Sequence, residues 1–191
     1  AARAAFANGA RVADIADDAA LGWAEAARDR LAAVAEARGL PARDFAATLL
    51  LAVSDGADTL VIHVGDGAAT LRAPGWGWTA LTWPAGGAYA GETRFLTDDD
   101  PAFRLARMAA PADALALFTD GIERLVLDFA AGEPHAPFFE RMTAPLARLA
   151  RPGRDLGLSR ALAAYLGGEG VAARTDDDRT LLLAAPMEAA S

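Results

Sequence analysis

The sequence predicts an α+β layered fold, and three observations predict it. The first forty residues carry a helical apolar period. The next stretch switches to short apolar runs broken by Asp-Gly pairs. Two more helical patterns then precede a last apolar strand. Strands that succeed one another without intervening helices ask for antiparallel pairing and not for βαβ units. No internal repeat or low-complexity linker divides the chain, and 191 residues suit one domain able to bury a sizeable core.

A first helix is expected over residues 4–16, with Asp17 and Asp18 near its break. Between residues 21 and 38 the apolar positions Leu21, Ala24, Leu31, Val34 and Ala35 recur on one face, with Glu25 and Arg28 outward, until Gly39 and Pro41 stop the helix. Residues 45–53, 59–64 and 69–73 read as strands. Asp55-Gly56 and Asp66-Gly67 between them have hairpin chemistry, because both tolerate positive φ. Trp76, Trp78, Ala80 and Thr82 alternate with smaller residues and predict a further strand ending at Pro84. The result is an antiparallel meander.

A glycine-rich connection, residues 85–91, leads to a strand over 93–96, and Asp98, Asp99 and Asp100 form a solvated turn before Pro101. Residues 114–118 make a buried strand. Helices come next over 136–150, with Phe138, Met142, Leu146 and Leu149 on one side, and over 158–166. Pro152-Gly153 separates them and Gly167-Gly168 ends the second. A strand over 180–185 closes the domain, which is expected to span 1–186 before a polar tail at 187–191.

Composition narrows the function classes. The formal net charge is −8 with a pI near 4.7, and no basic cluster offers a phosphate-tracking surface, so nucleic acid is not an expected partner. The longest apolar run, near residues 45–53, is about half of the ~18 residues that suggest a membrane span. No secretory signal is evident, and a cytoplasmic location is expected. Without cysteine there is no disulfide, thiolate zinc site or cysteine nucleophile. The serines, Ser54, Ser159 and Ser191, fall in a turn, at a helix start and in the tail, which leaves no serine triad. His63 inside a strand and His135 at a helix start read as structural, and Trp76, Trp78 and Trp83 as cover for a sheet.

Three aspartates sit at the edges of apolar strands, where a side chain reaches a site from a rigid backbone. Asp66 ends Val61-Ile62-His63-Val64-Gly65-Asp66-Gly67, Asp120 ends Leu117-Phe118-Thr119-Asp120-Gly121, and Asp177 precedes Arg179-Thr180-Leu181-Leu182-Leu183. Singly, each has the ordinary reading of a turn or a solvated loop. In this order, VGDG, then a buried strand ending in TDG, then DDRTLLL resembles the later motifs of the bacterial type 2C, metal-dependent serine/threonine protein phosphatases. Phe45-Ala46-Ala47-Thr48-Leu49 and Tyr89-Ala90-Gly91-Glu92-Thr93-Arg94-Phe95-Leu96-Thr97 resemble further stretches of that family, and the resemblance runs over essentially the whole chain.

The resemblance implies a four-layer α/β/β/α sandwich with two antiparallel sheets. It implies two Mn²⁺ or Mg²⁺ ions, a phosphoprotein substrate and hydrolysis of phosphoserine or phosphothreonine by a metal-activated water, with no catalytic side chain beyond the metal ligands. By the same resemblance Asp120 and Asp177 are direct ligands, Asp66 matches a third, weaker metal position, and the backbone of Gly121 is a cofactor-binding position. Two departures qualify it. A family aspartate four residues beyond Asp120 is replaced by Arg124, which weakens the third site. Family members also open with two strands, the first supplying an acidic residue and often a phosphate-binding arginine, the second a bridging aspartate. Here Ala2-Arg3 and Gly9-Ala10-Arg11-Val12-Ala13 match the family segment directly after those two strands, so the first strands are expected to be lacking. Asp55-Gly56, which leads straight into the next strand, is read as a hairpin turn and not as that motif displaced. The expectations are weak or absent turnover by this chain alone and self-association through an exposed sheet edge, with a non-catalytic, type 2C-like binding module as the alternative.

Overall fold

The computed structural model describes residue 6, residues 9–84 and residues 93–187. The chain divides into two compact units, one of Ala1–Asp66 with Leu81–Ala110, the other of Gly67–Ala80 with Pro111–Ser191. The glycine-rich connection at 85–91, the tail beyond Met187 and residues 4, 5, 7 and 8 of the expected first helix lie outside the described residues.

In the first unit the long helix α1 runs Asp17–Ala37. Asp17 and Asp18 open it where they were expected to mark a break, and acidic side chains in a first turn meet the positive end of the helix dipole. The helix expected to reach residue 16 is not present over residues 9–16, which hold only a short 3₁₀ turn, Val12–Asp14. The end of α1 is a Schellman motif: Gly39 stands at φ +64°, its N–H reaches the Glu36 carbonyl, and the N–H of Leu40 reaches that of Ala35. Ala20, Ala24 and Ala35 are buried, whereas Val34, expected on the same face as Ala24 and Ala35, is 41% exposed.

This unit holds a three-stranded antiparallel sheet, order β1-β2-β5, made of β1 Leu49–Ser54, β2 Thr59–Val64 and β5 Arg104–Met108. β2 lies in the middle and is buried throughout, in keeping with its mostly apolar sequence. Val12, Ile15, Ala20, Ala24, Leu60 and Ile62 form the core between α1 and this sheet. The Asp55-Gly56 hairpin is as expected: the Asp55 carboxylate accepts the N–H groups of Ala57 (3.0 Å) and Asp58 (2.9 Å) and, across the unit, of Val12 (2.9 Å).

The strand expected from residue 45 begins at Leu49. A 3₁₀ turn over Ala42–Phe45 takes its place, started by Pro41, and the Arg38 guanidinium sits 5.8 Å from the centre of the Phe45 ring. Residues 93–96 do not form a strand, because the Phe95 N–H is taken by the Asp98 carboxylate and that of Leu96 by the Ala47 carbonyl. The Asp98–Asp100 run is a turn, and Arg28, expected outward, donates to the carbonyls of Asp98 (2.8 Å) and Asp99 (3.4 Å).

The second unit carries a four-stranded antiparallel sheet, order β4-β3-β6-β9, with β3 Ala68–Ala73, β4 Gly77–Thr82, β6 Ala114–Phe118 and β9 Leu181–Ala184. Asp66-Gly67 is therefore not a hairpin. It carries the chain from β2 of one sheet to β3 of the other, so the expected single meander is divided between two sheets. Trp76 is 68% exposed in the β3–β4 turn, while Trp78 is buried and stacks on Phe139 at 4.8 Å. The short helix α2 (Glu123–Val126) leads into a two-stranded hairpin, β7 Leu127–Asp128 with β8 Glu133–Pro134.

Helix α3 spans Ala136–Thr143 and buries Phe139 against Trp78 and Phe118. The expected continuation to residue 150 stops because Pro145 cannot extend the helix, and a 3₁₀ turn, Leu146–Arg148, succeeds it. Helix α4, Leu156–Leu166, is N-capped by Asp155, whose carboxylate accepts the Leu158 N–H at 2.7 Å. A last short helix, α5, spans Glu169–Ala172. Among the described residues no helix is long and apolar enough to cross a membrane.

Candidate functional site

Strand register decides which carboxylates meet. β6 and β9 pair antiparallel with Phe118 opposite Leu181, so the C-terminal end of β6 and the N-terminal end of β9 lie together. Beyond that pair the backbones stay joined. The Thr119 N–H reaches the Thr180 carbonyl (3.2 Å), the Thr180 N–H reaches Thr119 Oγ1 (3.0 Å), and that hydroxyl donates to the Asp178 carbonyl (3.3 Å). Asp120 opens a 3₁₀ turn, Asp120–Ile122, on one side of this joint, and Asp177 stands in the loop on the other. Gly121 lets the two segments close: a Cβ there would sit 2.1 Å from the Asp178 carbonyl oxygen, far inside contact distance. The Asp177 loop is braced by its own side chains, with the Asp177 N–H on Thr175 Oγ1 (3.3 Å) and the Asp178 N–H on Asp177 Oδ1 (2.7 Å).

Asp120, Gly121 and Asp177 line one cleft of about 330 Å³, together with Glu123, Arg124, Leu125, Arg174, Thr175 and Asp176. Four carboxylates face two guanidinium groups there. The donors are all hard oxygens, which suit Mg²⁺ or Mn²⁺, and Mg²⁺ takes one or two carboxylates from a protein and fills its remaining positions with water and substrate oxygen. The residues thus fit a divalent cation in kind. Among the described residues no group of three or more His, Asp or Glu is arranged to cage one. Glu123, Asp176 and Arg174 were not singled out in the sequence. Their signal was spacing: Glu123 and Arg124 lie within one turn of Asp120, and Arg174 lies three residues before Asp177.

Asp66 belongs to the other unit and is engaged locally, its carboxylate accepting the Thr93 hydroxyl at 2.5 Å. Beside it Arg104 ties the turn together, donating to the carbonyls of Gly65 (2.6 Å) and Trp83 (2.8 Å) and to His63 Nε2 (3.0 Å). Since a guanidinium only donates, Nε2 must accept, and the neutral imidazole carries its proton on Nδ1. His63 is fully buried, and burial, reinforced by the Arg104 charge, pushes its pKa down to about 4. Gly65 stands at φ +106°, and a Cβ there would meet Thr48 Cγ2 at 2.4 Å. His135 is the exposed N-cap residue of α3.

Two antiparallel sheets, helices at their flanks and a TDG turn pressed against an acidic loop define a type 2C-like phosphatase fold. The chain belongs to the protein phosphatase 2C family, whose pattern matches residues 1–167. It is 41% identical over 159 residues to serine/threonine-protein phosphatase 3 of Escherichia coli, covering 82% of this chain and 62% of that protein, so the chain spans less than two thirds of the relative's length. In fold it is similar to a bacterial serine phosphatase of known structure (TM-score 0.55, 16% identity, 92% of this chain and 74% of that one). It is also similar to PppA of Pseudomonas aeruginosa, described as a key regulatory component of the T6SS (TM-score 0.52, 15% identity, 86% and 66% covered). The family match ends before Asp177, whose place in the cleft rests on the β6–β9 register.

Proposed function

We propose that this chain is the metal-binding part of a protein serine/threonine phosphatase that uses Mn²⁺ or Mg²⁺, with Asp120 and Asp177 as direct ligands. The supporting observation is that these two carboxylates, far apart in sequence, line a single cleft at one end of a sheet. Family membership and the E. coli relative supply the reaction class. The role of the residues is to hold the site: Thr119, Thr180 and Gly121 fix the Asp120 turn on the Asp177 loop, so neither carboxylate has to reorganise when a cation arrives. The backbone of Gly121 lines the same cleft. Bound there, a pair of divalent ions would lower the pKa of a water molecule and offset charge on a phosphoryl group. Asp66, already bonded to Thr93 and facing Arg104, is the weaker ligand position. A cytoplasmic location and association of copies through a free sheet edge belong to the same reading.

Calorimetric titration with Mn²⁺ tests it. Binding is expected for the wild-type chain and is weakened at least about tenfold by either Asp120→Asn or Asp177→Asn. Aryl-phosphate hydrolysis is expected to be slow, since two carboxylates hold a pair of ions loosely. Mn²⁺ binding that survives both substitutions together places the ions elsewhere and ends the assignment. Metal binding without any hydrolysis of aryl phosphate or phosphopeptide would favour the non-catalytic binding module.

A further inference from the structure

We infer that Arg124 and Arg174 form a phosphate-recognising pair in the cleft of Asp120 and Asp177, an inference that rests on the metal-site reading above. Both line that cleft, and both side chains are exposed. The segments that carry the cleft residues are tied down. Thr119 and Thr180 bond to each other, Gly121 is wedged against Asp178, and Asp177 Oδ1 holds the next backbone N–H. The two guanidinium groups are uncommitted. Among the described residues neither makes an ion pair or a side-chain hydrogen bond, although four carboxylates line the same cleft.

Their placement has a regular form. Arg124 lies one helical turn beyond Asp120, on the short helix that continues the Asp120 turn. Arg174 precedes Asp177 by three residues, in the turn that ends α5. Each proposed ligand therefore has an arginine beside it, on its own segment. Had these arginines served to neutralise the carboxylates, they would lie on them as ion pairs.

A planar guanidinium offers a fork of donors that matches two oxygens of a phosphate, which a lysine cannot copy. With four carboxylates against two guanidiniums, the cleft by itself is net negative and repels an anion. Two divalent ions reverse that sign, so phosphate is expected to bind only to the metal-loaded chain. The same linkage makes bound phosphate tighten the metal. The ligand is the phosphate dianion, as the side chain of a phosphoserine or as the free product.

The experiment titrates inorganic phosphate into the 191-residue chain with and without Mn²⁺, by calorimetry, for wild type, Arg124→Gln, Arg174→Gln and the double substitution. Phosphate is expected to bind only with Mn²⁺, about tenfold more weakly in each single variant and more weakly again in the double, as charge-assisted hydrogen bonds are lost. Mn²⁺ affinity, which also reports that each variant is folded, is expected to stay level or rise, because a positive charge has left the neighbourhood. A phosphoserine peptide should displace the phosphate; if free phosphate binds but the peptide does not compete, the pair reads product only. Unchanged phosphate affinity in the double variant with intact Mn²⁺ binding overturns the arginine assignment alone. Absence of Mn²⁺ binding by the wild type overturns the metal site and this inference with it.

Discussion

His63 shows how one buried side chain ties stability to pH. Its pKa falls from an ordinary value near 6.5 to about 4 because the ring is sealed from water against Arg104. In acid the unfolded chain therefore takes up a proton that the folded chain refuses. The stabilisation is complete above pH ~6.5 and is lost as pH falls toward 4, amounting to about 2 kcal/mol between pH 7.5 and pH 5. Urea unfolding at those two pH values checks this: His63→Gln, which keeps an acceptor for Arg104, should lose about that much of the difference. The second test at this scale is Gly121→Ala. The new methyl has no room beside the Asp178 carbonyl, and the displaced loop should cost about 1–3 kcal/mol of stability and about tenfold or more in Mn²⁺ affinity. The aspartates proposed as ligands stood out in the sequence because each lies at the edge of an apolar run. Arg124 was noticed only as a missing aspartate and Arg174 not at all, since its spacing of three from Asp177 is the one signal a lone arginine in a loop offers.

At the scale of elements, legibility tracked how much of a strand was buried. β2 and β6 are buried over their whole length, and their apolar runs stood out. β5 was missed because Arg104 and Arg107 interrupt it. Both turn out to be structural, Arg107 donating to Asp17 at 2.8 Å and to the Val12 and Ile15 carbonyls. The two Asp-Gly pairs have identical local chemistry, yet one closes a hairpin and the other changes sheets. Turn propensity cannot distinguish those outcomes, because the destination of the next strand is set by long-range pairing. Asp55 joins the β1–β2 hairpin to the turn at Val12 through three accepted N–H bonds, which also hold its carboxyl below the ordinary range. Asp55→Ala is expected to cost about 1–2 kcal/mol, read as a lowered Tm, by freeing both the hairpin tip and the 3₁₀ turn.

For the whole molecule, the question is what its sheet edges meet. Among the described residues β9 lies at one end of its sheet, and Leu182 on it is 51% exposed. Unpaired backbone with an apolar side chain is a template for another strand. Sedimentation at rising concentration should show association of copies, and Leu182→Lys should reduce it. A chain that stays monomeric at all concentrations removes this idea. The α+β class was readable from the change of apolar period alone, whereas the division into two sheets was visible only through family resemblance.

The wedge at Gly121 has a consequence for how such a protein can change over generations. Two stretches nearly sixty positions apart press together at Gly121 because one of them has no side chain at that point. Neither stretch is then free to drift by itself: a bulkier residue in the TDG turn is admissible only in a lineage that has first reshaped the acidic loop, and an altered loop leaves that glycine without its reason.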